Sequence, residues 1–264
     1  MARRRRSNGG GVNRIRAGVE ALLFAVAVLL MWQVLADQKL ISPVFFPSPL
    51  RTLGELGRQF TEGQIWEPLG ATSVRMFYGW ALASLLGVLL GAAIGSSRAA
   101  RDFLEPSLDF VRPLPASAII PVAILFLGLT NEMAITVIAF GAIWPVLLSS
   151  VHGFASIEPQ LLEVAATLRL SRLQLLWKVA IPGALPDILA GARVSLAIAL
   201  ILAVVTEMQA SQPGLGQNIL LAQRSFRSPE LYAGVVTLGV MGFLANHAIL
   251  LAERHLLRWR GAHE

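Results

Sequence analysis

The sequence predicts an all-α, polytopic membrane protein: six transmembrane helices, with a cytoplasmic two-helix coupling element between the fourth and fifth. Three observations predict it. Of the chain's 264 residues 55% are hydrophobic and only 14% charged, and soluble domains do not combine that balance with several nearly charge-free runs approaching ~20 residues. The basic residues that give the net charge of +6 cluster beside those runs. Between two of the runs, Ser156 to Pro186 (SIEPQLLEVAATLRLSRLQLLWKVAIPGALP) is the one long segment that reads as amphipathic helix.

Residues 1–17 form a basic tail with Arg3-Arg4-Arg5-Arg6, Arg14 and Arg16. It is expected to be disordered and to act as an orientation signal at an anionic leaflet rather than as an RNA-binding arm. Residues 18–36 are the first apolar run, too long for a usual signal-peptide core and read as a retained span. Residues 37–72 are an exposed segment. In it Ser48-Pro49 suits a helix start, Leu50, Leu53, Leu56 and Phe60 follow at near-helical spacing, and Gly63 closes an interfacial helix.

Residues 73–253 hold the other five spans. The second, Ser73 to Gly95, carries Gly79, Ala83, Gly87, Gly91 and Gly95 four apart, an extended small-residue ridge for close helix packing. Arg75 near its start reads as interfacial. After a polar turn at Ser96 to Glu105, the third span, Pro106 to Leu127, contains Pro113, Pro115 and Pro121 and must be kinked or broken in its first half. Arg112 there faces either the interface or the translocation path. The fourth span, Glu132 to Val151, contains Pro145. The fifth, Asp187 to Met208, carries Arg193, which is either interfacial or path-lining with a partner. Glu207 to Tyr232 reads as an exposed loop with a turn at Pro213-Gly214-Leu215-Gly216. The last span, Ala233 to Leu251, holds Asn246 and His247, the latter expected as packing rather than a ligand. Residues 254–264 are a basic exit.

The segment 156–186 has its own logic. Glu158-Pro159 starts a helix, and Ser171 with Gln174 forms a capping box that starts a second, which Pro182 and Gly183 should stop. Such a unit could read DNA as a helix-turn-helix, dock on a partner protein, or lie on the membrane as a linker. The second helix is dominated by Leu173, Leu176 and Trp177, which is poor for base readout. By the positive-inside rule the tails, the 96–105 turn and this segment, which hold most of the Lys and Arg, are cytoplasmic.

Catalysis is not expected. There is no cysteine, no convergent catalytic set and no metal-ligand spacing. No GxxxxGK[ST] motif exists, and neither lysine, Lys39 or Lys178, follows a glycine loop. A secondary transporter is the alternative class, though no internal repeat is visible and the carboxylates sit mainly at span ends.

Residues 156–186 resemble the coupling motif of ABC-importer permeases: Glu163-Val164-Ala165, then Arg169 where Gly is usual, then Val179, Ile181 and Pro182 at the family's spacing. Phe-Pro-Ser-Pro at Phe46 to Pro49, Arg-Pro-x-Pro at Arg112 to Pro115, and the Glu207-Met208 to Gly214-Leu215-Gly216 order resemble the sulfonate, taurine and nitrate group. The resemblance implies the inner-membrane permease of a type I ABC importer, working as a homodimer with ATPase subunits and a periplasmic solute-binding protein. ATP and Mg would be bound by the ATPase, and no cofactor by this chain. It further implies that Glu163, Val164, Ala165, Ala166, Leu168, Arg169 and Pro182 couple to the ATPase. Glu163 would make an ionic or capping contact there, and Ala165 and Ala166 would give clearance.

Overall fold

The computed structural model describes residues 9–258, which are helical and contain no strand. Five helices are long and apolar enough to cross a membrane, or six if one bent pair is a single span. Met1 to Asn8, with Arg3 to Arg6, and residues 259–264 lie outside the described part. Helix α1, Gly9–Asp37, begins within the expected tail, so Arg14 and Arg16 are already helical. It stands largely apart from the bundle. The side chain of Gln33 accepts from the Leu50 N–H at 3.1 Å, and Trp32 packs on Tyr232 with centroids 5.8 Å apart. Helix α2, Pro49–Thr61, starts where Ser48 Oγ accepts from the Arg51 N–H, and Gly63 at φ +77° follows its end.

Helix α3, Trp66–Gly95, starts seven residues earlier than the apolar run suggests. Pro68 sits in its first turn, where no N–H is needed, so helix propensity extends past the hydrophobic boundary. The expected polar turn shrinks to Ser96 and Ser97. Ser97 Oγ accepts from the Ala100 N–H at 3.3 Å and starts α4, Arg98–Val111. Arg112 to Pro115 then breaks the chain by 86° before α5, Ala116–Leu127. Pro113 and Pro115 each bias the preceding residue away from helix, so of the two expected outcomes, kink or break, the chain takes the break. With 12 residues, α5 spans about 18 Å, short of a ~30 Å hydrocarbon core.

Helix α6 is Asn131–Ala155, and α7, Pro159–Thr167, and α8, Arg172–Leu175, follow. Both halves of the Ser171–Gln174 capping box are made. Pro182 and Gly183 do not stop the chain, contrary to the sequence expectation. A π turn over Leu176–Ala180 leads straight into α9, Ile181–Ala210. The Ile181 N–H donates to the Leu176 carbonyl, five residues back. That extra residue stands just before the proline ring, which would otherwise crowd the preceding turn. The run Arg172–Ala210 is therefore one span of 39 residues. Helix α10, Leu215–Arg224, occupies the region expected as an exposed loop, and buries Leu215, Gly216, Ile219 and Ala222. Helix α11, Ser228–Leu256, completes the chain.

The core is the α3–α6–α9 bundle, built on Met76, Ala83, Ile138, Ala142, Val146, Leu196, Ala199 and Leu202. Two hydrogen bonds cross it: Trp80 Nε1 to the Ala192 carbonyl at 2.9 Å, and Ser195 Oγ to the Ala142 carbonyl at 2.6 Å. Chain direction puts α7, α8, Gly95 and Leu256 at one end of the bundle. The start of α6 and the link from α9 to α10 lie at the other, beside α2.

Candidate functional site

The small-residue ridge is the seam between α3 and α6. Gly79 faces Ile138, Gly87 faces Val146, Gly91 faces Ser150, Gly95 faces Val151 and Phe154, and Ala83 is wholly buried in the same line. A Cβ added at Gly87 would lie 2.9 Å from the Val146 Cβ, and one at Gly95 2.7 Å from the Val151 carbonyl oxygen. At the four glycines the two backbones approach so closely that an added Cβ collides, while Ala83 is the one ridge position with room for a methyl group.

Helix α7 presents the resembled coupling motif. Leu161, Leu162, Val164 and Leu168 are exposed on it, Leu173 and Trp177 on α8 and the π turn, and Glu163 and Ala166 are exposed as well. Ala165 is only 5% exposed within its own chain. Of the two alanines, then, only Ala166 offers clearance to an approaching body. Pro182 is half-buried in the first turn of α9. Helix α8 runs through the π turn into the membrane-crossing α9, so it is not the free second helix that a major groove takes up.

Arg169 stands at φ 49°, the left-handed conformation. The Arg169 N–H donates to the Ala166 carbonyl at 3.0 Å and the Leu170 N–H to the Ala165 carbonyl at 3.1 Å. These are the two bonds of a Schellman C-cap. The motif turn is thus kept with arginine in place of glycine, at the steric cost of a Cβ in left-handed backbone.

Arg112 is exposed at the α4–α5 break. Arg193 is ion-paired with Glu253 of α11. No hydrogen bond or ion pair joins the two arginines among the described residues. Arg193 precedes the end of α9 by about 25 Å of helix, and Glu253 lies in the last turn of α11. Arg193 therefore stands near mid-length of α9, between Ala192 and Ser195, and its side chain reaches toward the α7–α8 end to meet Glu253.

The opposite end holds a constellation the sequence did not reveal. Glu207, wholly buried, accepts from Arg75 Nη1 at 2.9 Å, Thr72 Oγ1 at 3.0 Å and the Gly216 N–H at 2.9 Å. Arg75, read above as interfacial, is 6% exposed. It also donates to Asn131 Oδ1 at 2.8 Å and to the Pro213 carbonyl at 2.7 Å. Thr72 accepts from the Leu215 N–H, and Gln212 Nε2 donates to the Thr130 carbonyl. Side chains at Gly214 or Gly216 would collide with Glu207. The Gly-Leu-Gly element is therefore not just a turn; its glycines clear the room for a carboxylate. Reading each residue alone hid this, because Arg75 and Glu207 each sit near a span end. The available signal was a pair of opposite charges in two spans at the same end, beside two glycines.

Residues 83–260 match the family described as "Binding-protein-dependent transport system inner membrane component". A putative aliphatic sulfonates transport permease protein of Bacillus subtilis (strain 168) is 32% identical, over 93% of this chain and 89% of the relative. The taurine transport system permease protein of Escherichia coli (strain K12) is 32% identical, over 89% of this chain and 88% of its own. The bicarbonate transport system permease protein of Synechococcus elongatus is 27% identical, over 97% and 98%. The inward-facing MetNI methionine ABC transporter shares the fold, with a TM-score of 0.58 and 20% identity over 72% of this chain and 93% of that one. The chain belongs to the family of inner-membrane permease components of binding-protein-dependent ABC importers.

Proposed function

We propose that this permease forms, with a second copy of itself, the path for a small oxyanion of the sulfonate, taurine or nitrate kind. The solute would be delivered by a periplasmic binding protein, and ATP and Mg would be held by the partner ATPase subunits. The relatives named for aliphatic sulfonates, taurine and bicarbonate all point to small solutes that carry an oxyanion group. The charge distribution supports both termini and the α7–α8 element facing the cytoplasm.

The observation that carries the coupling role is mechanical. The α7–α8 element presents Leu161, Val164, Leu168, Leu173 and Trp177 outward and is continuous through the π turn with α9. An ATPase groove closing on that face pushes directly on a membrane-crossing helix. The cycle then alternates outward opening, driven by ATP-dependent closure, with inward reset after hydrolysis. Co-purification of the tagged chain from native membranes, with ATPase activity measured in the eluate, tests it. An ATPase that co-elutes, and is lost when Glu163 is replaced, supports the docking surface; a chain that elutes alone sinks it. The chain has no cysteine, so a single cysteine at Leu168 reports orientation. Labelling from the periplasmic side would reverse the topology.

A further inference from the structure

We infer that the cleft between α9 and α11, running toward the end that carries α7 and α8, binds one anionic phospholipid. The cleft has a volume of about 280 Å³ and runs from mid-bundle, at Met76 and Gly242, past Leu200, Ala197 and Asn246 to Arg193. A second depression, about 360 Å³, lies on the last turns of α11 and is bounded by Glu253, Arg254, Leu257 and Arg258. The Arg193–Glu253 ion pair stands where the two meet. An apolar slot and a basic rim therefore share one boundary.

The depths match a lipid. From Arg193 the slot runs along α9 to Ile201, about 12 Å toward the opposite end, at the level of acyl chains. The rim lies in the last turn of α11 and just past it, at headgroup level.

The charges select the headgroup. Glu253 pairs with Arg193 inside the chain and neutralises it. Arg254 and Arg258 are exposed and make no ion pair among the described residues. Three arginines against one carboxylate leave two positive charges for a phosphodiester and a further anionic or hydroxylic group. Basic pockets at helix ends hold anionic headgroups in this way. Free phosphate would satisfy the rim but leave the slot empty.

The test uses the full chain, reconstituted in vesicles of phosphatidylglycerol and phosphatidylethanolamine in equal amounts and re-extracted into mild detergent. Native mass spectrometry counts the retained lipid. The wild type should keep phosphatidylglycerol and not phosphatidylethanolamine. R254Q/R258Q should lose it by about tenfold or more, at about 1 kcal/mol per basic residue. A197F, which fills the slot from an exposed position and leaves every arginine in place, should lose it too. Equal retention of both lipids overturns the inference, as does a wild type that keeps neither. Loss in R254Q/R258Q but not in A197F reduces the site to a charged surface and also overturns it. If A197F instead splits a dimer and leaves lipid retention unchanged, the cleft belongs to a second copy and not to a lipid.

Discussion

Glu207→Gln should destabilise this protein by about 3 kcal/mol although it changes one atom, because breaking a buried ion pair from one side costs ~3–5 kcal/mol. The Glu207 carboxylate accepts from three donors, Arg75, Thr72 and Gly216. A carboxamide offers one acceptor oxygen and places an NH2 among donors, so at least one buried donor loses its partner. Arg75 keeps Asn131 and the Pro213 carbonyl but no counter-charge. Glu207→Ala should fall at the upper end of that range, since it adds a void. On the scale of soluble domains, where 1 kcal/mol moves Tm by roughly 2–4 °C, Glu207→Gln should lower Tm by about 6–12 °C. Tryptophan fluorescence in detergent would follow it.

A charge swap sharpens the test. If the pair were only Coulombic, Arg75→Glu with Glu207→Arg would restore stability. The structure says otherwise: Thr72 Oγ1 and the Gly216 N–H both donate toward position 207, and the space cleared by Gly214 and Gly216 suits a carboxylate. The swap should be no more stable than Glu207→Gln. A Tm unchanged in Glu207→Gln, or restored by the swap, would refute the reasoning.

Three shorter predictions follow from the seam and the coupling element. Gly91→Val forces a branched side chain onto Ser150 and should lower stability by about 1–3 kcal/mol or more, as overpacking does; Gly18→Val, with open space around it, should not, and the two Tm values check this. Arg169→Gly relieves the left-handed arginine and should firm the turn by up to about 1 kcal/mol, net of the greater freedom of an unfolded glycine; slower exchange of the Leu170 amide is the readout, and Arg169→Val should speed it. Val164→Asp with Leu168→Asp, both at exposed positions, should abolish ATP-driven uptake in vesicles with Tm unchanged, and retained uptake would remove α7 from the docking surface.

The spans were legible because hydropathy reports burial in lipid: α6 follows its apolar run closely, and α9 and α11 contain theirs but start earlier, as α3 does. What failed was anything set by backbone chemistry within a run or by distant partners. Pro182-Gly183 carries a strong stop signal, yet the helix continues through it, with a π turn closed by the Ile181 N–H to Leu176 carbonyl bond just before the proline. Arg112 to Pro115 left kink and break open, and two pre-proline positions in four residues add up to an 86° break. Ala165 and Ala166 are equivalent as letters; only the turn after α7 decides which one is covered. Arg75 and Glu207 are separated by 132 residues, and the charge of each is ordinary at a span end. Their burial follows from α3 and α9 both packing on α6, which the glycine ridge permits and no local pattern announces.

Under the coupling role proposed above, these features would make α9 a single lever. Its coupling end is the capped α8, its far end carries Glu207, and Trp80 and Ser195 hold its middle to α3 and α6. The one departure from α geometry along Arg172–Ala210 is the π turn, directly beside the docking face. Deleting Val179 removes the extra residue, which turns α7 and α8 by about 100° about the α9 axis and brings the Pro182 ring against the preceding turn at a cost of about 3 kcal/mol. The span itself, from Ile181 onward, and the Glu207 network are untouched, so the protein should still reach the membrane with its outer end intact. ATPase binding or ATP-driven uptake should be lost, because Leu161, Val164 and Leu168 then face the wrong way. Uptake at the wild-type rate after this deletion would mean that the orientation of α7 relative to α9 does not matter, and the lever would have to be abandoned.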